Sequence, residues 1–417
     1  MPTSSDPCAK PELIHPNDAL PMLLEQVNAI TDTLSLPLEN ALDHVLAEDV
    51  ISTVNLPPFD NSAMDGYAFR FADLNSKTDT TSLTLVGEAF AGHPFTGEIP
   101  AGACVRIMTG AQIPSALDTV QMQEQTEIQG DKICVTHTRK SGANVRSKGE
   151  EVSVGQTVLK AGTLIRAAEL GVLATLGQAK VTVFHMLKVA FFSTGDELKP
   201  VGTELQPGQI YDSNRYSIRG LLCKTGVEWI DLGIIEDCPN AIKQAFLNAS
   251  EQADLVLTSG GVSVGDADYV KQVLQDVGKI TFWRLAMKPG KPFAMGALPN
   301  AIFCGLPGNP VASMVTYYQL VLPLIYKMQG RGELKRHLVS ATLVHDIRRK
   351  PGRVEYQRAV VSRNKHGALE VSTTGAQGSG MLTSMSSANS FLIVPREQGE
   401  MTAGSQVTVE LFNHVLS

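Results

Sequence analysis

The sequence is poor in the features that identify many protein classes at a glance. It holds six cysteines in 417 residues, Cys8, Cys104, Cys134, Cys223, Cys238 and Cys304. None forms a CxxC pair, so neither a zinc knuckle nor a disulfide framework is expected, and the thiols read as scattered reduced ones of a cytoplasmic protein. Basic charge is also short: Lys and Arg number 35 against 42 Asp and Glu, a formal net charge of −7. A surface of that sign disfavours a nucleic-acid partner or an anionic membrane. No apolar run is long enough to span a bilayer, and the polar first dozen residues do not resemble a signal peptide. There is no GxGxxG, GxxxxGK[ST] or GxSxG motif, and the nine histidines show no HExxH pattern. Dinucleotide oxidoreductases, P-loop NTPases, α/β-hydrolases and zinc hydrolases therefore drop out.

What remains is an ordinary globular composition, 43% hydrophobic and 18% charged, in a chain too long for one core. The spacing of Leu20, Leu23, Leu24 and Val27 predicts a helix over 15–28, and a second is expected over 37–46. The turn-forming segment NLPPFDNSAMDGYA reads as a loop entering a new domain. From about 83 to 138 the texture is of short strands and turns. From Lys188 strands and helices alternate, with helices expected at 214–225, within 239–253 and 267–278, and from Pro310 to about 327. That rhythm indicates a parallel, doubly wound sheet with ligands at the carboxyl ends of its strands. Beyond Gly330 alternating strands form a small all-β domain. The division expected is a discontinuous linking domain (1–53 plus 146–186), a β-rich insert (54–145), an α/β domain (187–329) and a C-terminal β domain (330–417).

The chemistry gathers in the loops at the strand ends. FSTGDEL carries Asp196 and Glu197, and Asp237 follows another strand. TSGGVSVGDADY carries Gly260, Gly261, Ser263, Asp266 and Asp268. Its glycines suit a backbone nest for an anion, and its carboxylates could tolerate that anion only across a cation such as Mg²⁺. Plain helix capping by Asp266 and Asp268 explains them equally well. In MKPGKPF, Lys288 and Lys291 sit on a stiff backbone suited to a compact oxyanion, although a solvated turn is the commoner fate of such a pair. In GLPGNP, Asn309 stands as a helix N-cap and Pro310 in the first turn, which a rigid helix start explains unaided. Turn chemistry accounts for Asp60 and Asn61 in FDNSAMDGYAF. The residues alone thus lead to an α/β domain gripping phosphate with a divalent ion, flanked by β domains.

Taken in order, PPFDNSAMDGYA, RIMTGAQIP, FSTGDEL, GQIYDSN, TSGGVSVGDADY, MKPGKPF and GLPGNP resemble the molybdopterin molybdenumtransferase family, the MoeA type also found as the E domain of gephyrin. The resemblance implies a molybdopterin-binding α/β domain, a β-rich insert, a small linking domain and a C-terminal barrel-like domain. It implies insertion of molybdenum from molybdate into adenylated molybdopterin with release of AMP, a divalent ion such as Mg²⁺, and a cytoplasmic homodimer that meets other molybdenum-cofactor biosynthesis proteins. Carried over, Asp65, Thr109, Glu197, Asp237 and Asp268 match the functional acidic and loop residues. Asp196, Glu197, Asp237, Asp266 and Asp268 would hold the metal. Gly260, Gly261, Ser263, Arg284, Lys288, Lys291, Pro307, Pro310, Arg353 and Ser379 would hold substrate, with Arg146 near a domain junction and Asp65 facing the partner's α/β domain. Three positions depart from the pattern: Arg284 for Lys, Glu151 for Asp, and Ala312 where Ser is common, with Ser313 expected on another helical face. The rival readings are a molybdopterin adenylyltransferase and a gephyrin-like scaffold.

Overall fold

The computed structural model describes residues 13–75, 78–136, 140–260 and 269–416. The chain divides into two compact units: Met1–Ala47, Gly162–Arg166 and Lys180–Ser417 form one, Glu48–Ala161 and Ala167–Ala179 the other.

At the centre of the larger unit lies a six-stranded sheet. Its order is Glu228–Ile235, Lys188–Thr194, Leu255–Ser259, Ile302–Leu306, Pro292–Ala297 and Lys279–Arg284. Each central strand is apolar on both sides. Val189 and Phe191 pack with Ile218, Leu221 and Leu222 of the helix Ser213–Cys223. Ala190 and Phe192 point the other way, onto Ile242 and Phe246 of the helix Pro239–Gln252. That two-faced burial is why the strand shows no hydrophobic alternation.

The first four strands of this order run parallel; the last two pairings are antiparallel. The sheet is thus mixed, where full parallelism was expected. Too few residues separate Lys279–Arg284, Pro292–Ala297 and Ile302–Leu306 for the crossover of a dozen or more that parallel pairing needs, so they fold as a meander. The chain leaves Lys188–Thr194 for one neighbour and returns on its other side at Leu255–Ser259. The carboxyl ends of those strands, Thr194 and Ser259, therefore flank a topological switch point, where open α/β sheets form a crevice.

The C-terminal segment closes into a barrel of five strands, Val354–Arg363, Leu369–Thr373, His337–Leu343, Gln406–Leu411 and Ser390–Val394, the last pairing back to the first. Met287 and Lys288 add to its rim, in register with Val354 and Glu355.

The N-terminal helix spans Pro16–Leu24, with the His15 side chain accepting from the Asn17 amide. The helix expected over 37–46 does not form. Thr33–Pro37 is a strand paired with Lys180–Phe184, and Val45 and Leu46 bridge to Leu164 and Val183. Leu34, Leu36 and Leu38 alternate with period two, and Asp43 at φ 63° interrupts a right-handed helix.

In the smaller unit a six-stranded sheet runs Thr119–Met122, Gly66–Phe69, Ala103–Ile107, Thr80–Ala89, Lys132–Thr136 and Thr126–Gln129. The segment expected as a loop contributes the strands Asn61–Ser62 and Gly66–Phe69. Gly66 is needed there: a Cβ would stand 1.9 Å from the Gln121 carbonyl oxygen of the neighbouring strand.

Candidate functional site

A cleft of about 700 Å³ opens at the switch point. Its floor is the strand ends at Thr194, Ser259 and Gly260. Gly260 has φ +94°, and a Cβ on it would meet the Thr194 carbonyl oxygen at 2.7 Å, so no side chain can narrow the floor here. Pro307, Gly308, Asn309 and Pro310 form one wall, and the helix Pro310–Thr316 starts from it. Asn309 holds the N-cap position, but its side chain makes no capping bond. The barrel contributes Arg353, Gln377, Gly378 and Ser379 opposite. The Ser379 carbonyl accepts from the Val311 amide at 3.0 Å, which ties that barrel loop to the helix start.

Three cations face this space: Lys288, Lys291 and Arg353. The turn that presents the lysines is fixed at both ends, since the Leu285 amide donates to the Lys291 carbonyl and the Val354 amide to the Ala286 carbonyl. Gly290, at φ +103°, lets the turn pack against the helix: a Cβ there would sit 2.5 Å from Thr316 Oγ1. Lys288 Nζ lies 3.2 Å from Glu355 Oε1. Glu355 is buried, and its other oxygen accepts from Gln357 Nε2 at 2.7 Å. Lys291 and Arg353 have no ion pair among the described residues, so their charge is available to an anion.

Acidic groups gather at the rim. Glu197 lines the cleft and curls back over Gly195, whose Cβ would clash with its carboxylate. Burial pushes the Asp237 carboxyl above the usual carboxylate range, and the charges of Asp196 and Glu197 add to the shift. A partly buried carboxylate raised by two acidic neighbours suits a site that a cation relieves. Among the described residues, however, no three acidic, His or Cys side chains form a ready-made metal cage. Gly261, Ser263, Asp266 and Asp268 lie outside the described residues.

Of the other expected positions, Pro307 and Pro310 line the cleft, while Arg284 does not. It ends the edge strand opposite Pro292, with its Nε buried and unpartnered. Ala312 lines the cleft and Ser313 is fully buried beside it, so the two occupy different helical faces as the sequence implied. Asp65 and Thr109 belong to the smaller unit. The Thr109 amide and hydroxyl both donate to Asp65 Oδ1, at 2.7 and 2.9 Å, and hold this exposed carboxyl below its usual range. Glu151 and Arg146 also lie in the smaller unit, Arg146 in a short strand paired with Asn61–Ser62.

Sequence reasoning missed three supports. Asn214 Nδ2 donates to Ser259 Oγ at 2.6 Å and to the Gly308 carbonyl at 2.7 Å, pinning two walls together. It stands in the GQIYDSN string, and its place at a helix start was the only available signal. Arg358, 1% exposed, donates to Ser384 Oγ and to the Gly378 carbonyl and so holds the loop that carries Ser379; burial lowers its guanidinium to about 10. Gln377 is locked by two bonds to the Arg358 backbone. Nothing in a strand's period marks such an arginine or glutamine.

The cleft is a basic pocket with an acidic rim, at the strand ends of a mixed α/β sheet and roofed by a barrel loop. The chain matches three family profiles in succession: MoeA N-terminal region (domain I and II) over residues 14–177, probable molybdopterin binding domain over 190–327, and MoeA C-terminal region (domain IV) over 340–412. It is 47% identical to a molybdopterin molybdenumtransferase of Haemophilus influenzae, over 94% of this chain and 97% of that one. A molybdopterin molybdenumtransferase of Nostoc is 36% identical over 96% and 95%. The crystal structure of the molybdopterin biosynthesis moeA protein from Pyrococcus horikoshii OT3 superimposes with a TM-score of 0.82 at 31% identity, covering 96% of this chain and all of that one. Fold, cleft and likeness agree: the chain belongs to the MoeA family of molybdopterin molybdenumtransferases, transferases of molybdenum cofactor biosynthesis.

Proposed function

We propose that the cleft brings molybdate and adenylated molybdopterin together, and that molybdenum transfer to the pterin is accompanied by release of AMP. The observation that carries this reading is the meeting of Lys288, Lys291 and Arg353 in one cavity. Two anions approaching in a low-dielectric cleft repel each other, and fixed cations offset that cost without reorganising. Lys291 and Arg353 grip molybdate in this scheme, with Ser379 and the Pro307–Pro310 wall shaping its seat. Gly260 lets the phosphorylated pterin approach the backbone closely, and Gly261, Ser263 and Arg284 belong to the same substrate set.

Asp196, Glu197 and Asp237, joined by Asp266 and Asp268, would hold Mg²⁺ or another divalent ion. The raised Asp237 carboxyl supports the fit, because a cation would offset both the burial and the neighbouring charges of Asp196 and Glu197 that raise it. Bound there, the ion would polarise a phosphoryl oxygen. Asp65 and Thr109, in the separate compact unit, are proposed to serve the cleft of a second copy in a cytoplasmic homodimer. The domain division 1–53 plus 146–186, 54–145, 187–329 and 330–417 goes with this reading, as does hand-over to other cofactor-biosynthesis proteins.

The test is turnover with molybdate, Mg²⁺ and the adenylated pterin, reading AMP and molybdenum-loaded pterin. Lys291→Ala is expected to fold normally and bind molybdate at least about tenfold more weakly, the loss of one close charge. Unchanged molybdate affinity in that variant would count against the assignment. Adenylation of the pterin from ATP would instead favour an adenylyltransferase, and peptide capture without turnover a scaffold.

A further inference from the structure

The larger unit holds a second cavity, of about 690 Å³, that shares no lining residue with the cleft. It lies where the helix Ser213–Cys223 ends, beside the turn that follows the helix Leu322–Met328 and against the segment 162–166. Its wall carries Arg166, Lys224, Arg331 and Lys335 against Asp43 and Glu333, a lining of net +2 in a chain of net −7. The carboxylates and the negative end of the helix Ser213–Cys223 are thus outnumbered.

Arg331 is the centre of this wall. Its guanidinium lies 3.6 Å above the centroid of the buried Tyr326 ring, and its amide donates to the Tyr326 carbonyl. Stacking fixes the plane of the fork, but no carboxylate pairs with it among the described residues. Its hydrogen bonds are to neutral groups: the Tyr326 side chain and, at a long 3.5 Å, Gln329 Oε1. Burial lowers the affinity of this guanidinium for its proton, and Arg166 adds to the effect while Asp43 and Tyr326 oppose it. A half-desolvated, oriented guanidinium without a carboxylate partner is costly, and an anionic ligand would lower the cost.

His414 stands in the same wall and is held below its usual range by burial and by Arg331 and Lys224, against the opposing pull of Asp43 and of the Lys224 backbone. Its charged form is therefore disfavoured beside these cations. An anion between these groups would offset both cations and raise His414.

We propose that this second cavity is a binding site for a small phosphorylated anion, gripped by the Arg331 fork and the Lys224 ammonium. A phosphoryl group matches the donors: a planar guanidinium engages two of its oxygens, and a lysine supplies a point charge. The volume admits a ligand of nucleotide size.

The probe is inorganic pyrophosphate, titrated calorimetrically at low salt into the full chain carrying Lys291→Ala and Arg353→Ala, which weakens anion binding in the cleft. One site per chain is expected to persist. Adding Lys224→Glu, an exposed position outside the cleft, is expected to weaken it at least about tenfold, since a neighbouring charge changes sign. Lys224→Glu alone leaves transferase turnover unchanged. Pyrophosphate is also expected to raise the midpoint at which the His414 Cε1–H resonance titrates. No isotherm in the cleft variant, equal binding with and without Lys224→Glu, or an unmoved His414 midpoint would each overturn the proposal. Tighter binding of sodium molybdate than of pyrophosphate would overturn the phosphoryl assignment.

Discussion

Replacing Glu355 by Gln keeps the shape of a buried side chain and removes its charge, and the two consequences should have opposite signs. The carboxylate is 6% exposed and lies 3.2 Å from Lys288 Nζ and 3.7 Å from Arg349 Nε. The Arg349 side chain is itself 3% exposed. Stripping a buried ion of its partner costs about 3–5 kcal/mol. Arg349 also donates to the carbonyls of Arg353, Pro395 and Val394, which survive the change and bring the expected loss toward about 2–3 kcal/mol. Anion binding should move the other way. An oxyanion seated on Lys288 Nζ comes within about 7 Å of the Glu355 charge, a repulsion of about 1 kcal/mol per unit of ligand charge at an effective dielectric near 40. Molybdate is a dianion, so the repulsion removed is about 2 kcal/mol, and Glu355→Gln therefore binds molybdate about thirtyfold more tightly while unfolding at lower urea. Calorimetry with molybdate and urea denaturation on the same preparation measure both. A folded Glu355→Gln protein with equal or weaker molybdate affinity would refute the view that Glu355 restrains the charge of the cleft.

Asp237→Asn tests the acidic rim. Because the folded-state carboxyl is raised above 3.8, ionising it costs the folded protein stability as pH climbs from 3.8 through the raised value. The variant escapes that cost, so it should melt higher than wild type at pH 7, with the gap closing below about pH 4. Added Mg²⁺ should raise the melting temperature of wild type and not of Asp237→Asn; equal responses would sink the cation site. Gly290→Ala puts a Cβ at φ +103° and 2.5 Å from Thr316 Oγ1. It is expected to cost about 2 kcal/mol and to raise the KM for molybdate more than it lowers kcat. Adding Thr316→Ala should recover the steric part and leave the backbone part; no recovery would place the strain elsewhere.

The elements that could be read in the sequence are those whose cause is local. The run at Lys188–Thr194 is apolar throughout because helices cover both faces of its strand, and that pattern survives without knowledge of the partners. The lysine turn stood out because Pro289 and Pro292 stiffen it in any context. The mixed direction of the sheet was hidden in connection lengths, which a count of alternating elements overlooks. The stretch 37–46 carries apolar residues that suit a helix, but its backbone pairs with Leu164 and Val183, more than a hundred residues on. In the site, the same division holds. Lys288, Lys291 and Asp237 announce themselves by residue type near a turn. Glu355, Arg358 and Asn214 do not, because each works through a partner distant in sequence, Lys288, Gly378 and Gly308 respectively.

That distance bears on how the cleft holds its charge. Three like charges facing one space would drift apart if only flexible side chains held them. Here the backbone does the holding. The lysine turn is bound on one side to the sheet, through Leu285 and Lys291, and on the other to the barrel, through Met287 with Val354 and Lys288 with Glu355. The barrel loop facing it is bound to the helix start through Ser379 and Val311, and to its own strand through Arg358. Each cation is thus anchored by hydrogen bonds made on folding, before any ligand arrives. The repulsion among Lys288, Lys291 and Arg353 is met from the stability of two sheets, and an incoming anion collects an attraction whose ordering cost has already been met. A change that loosened the barrel from the turn without touching a cation should therefore weaken anion binding as surely as removing a lysine.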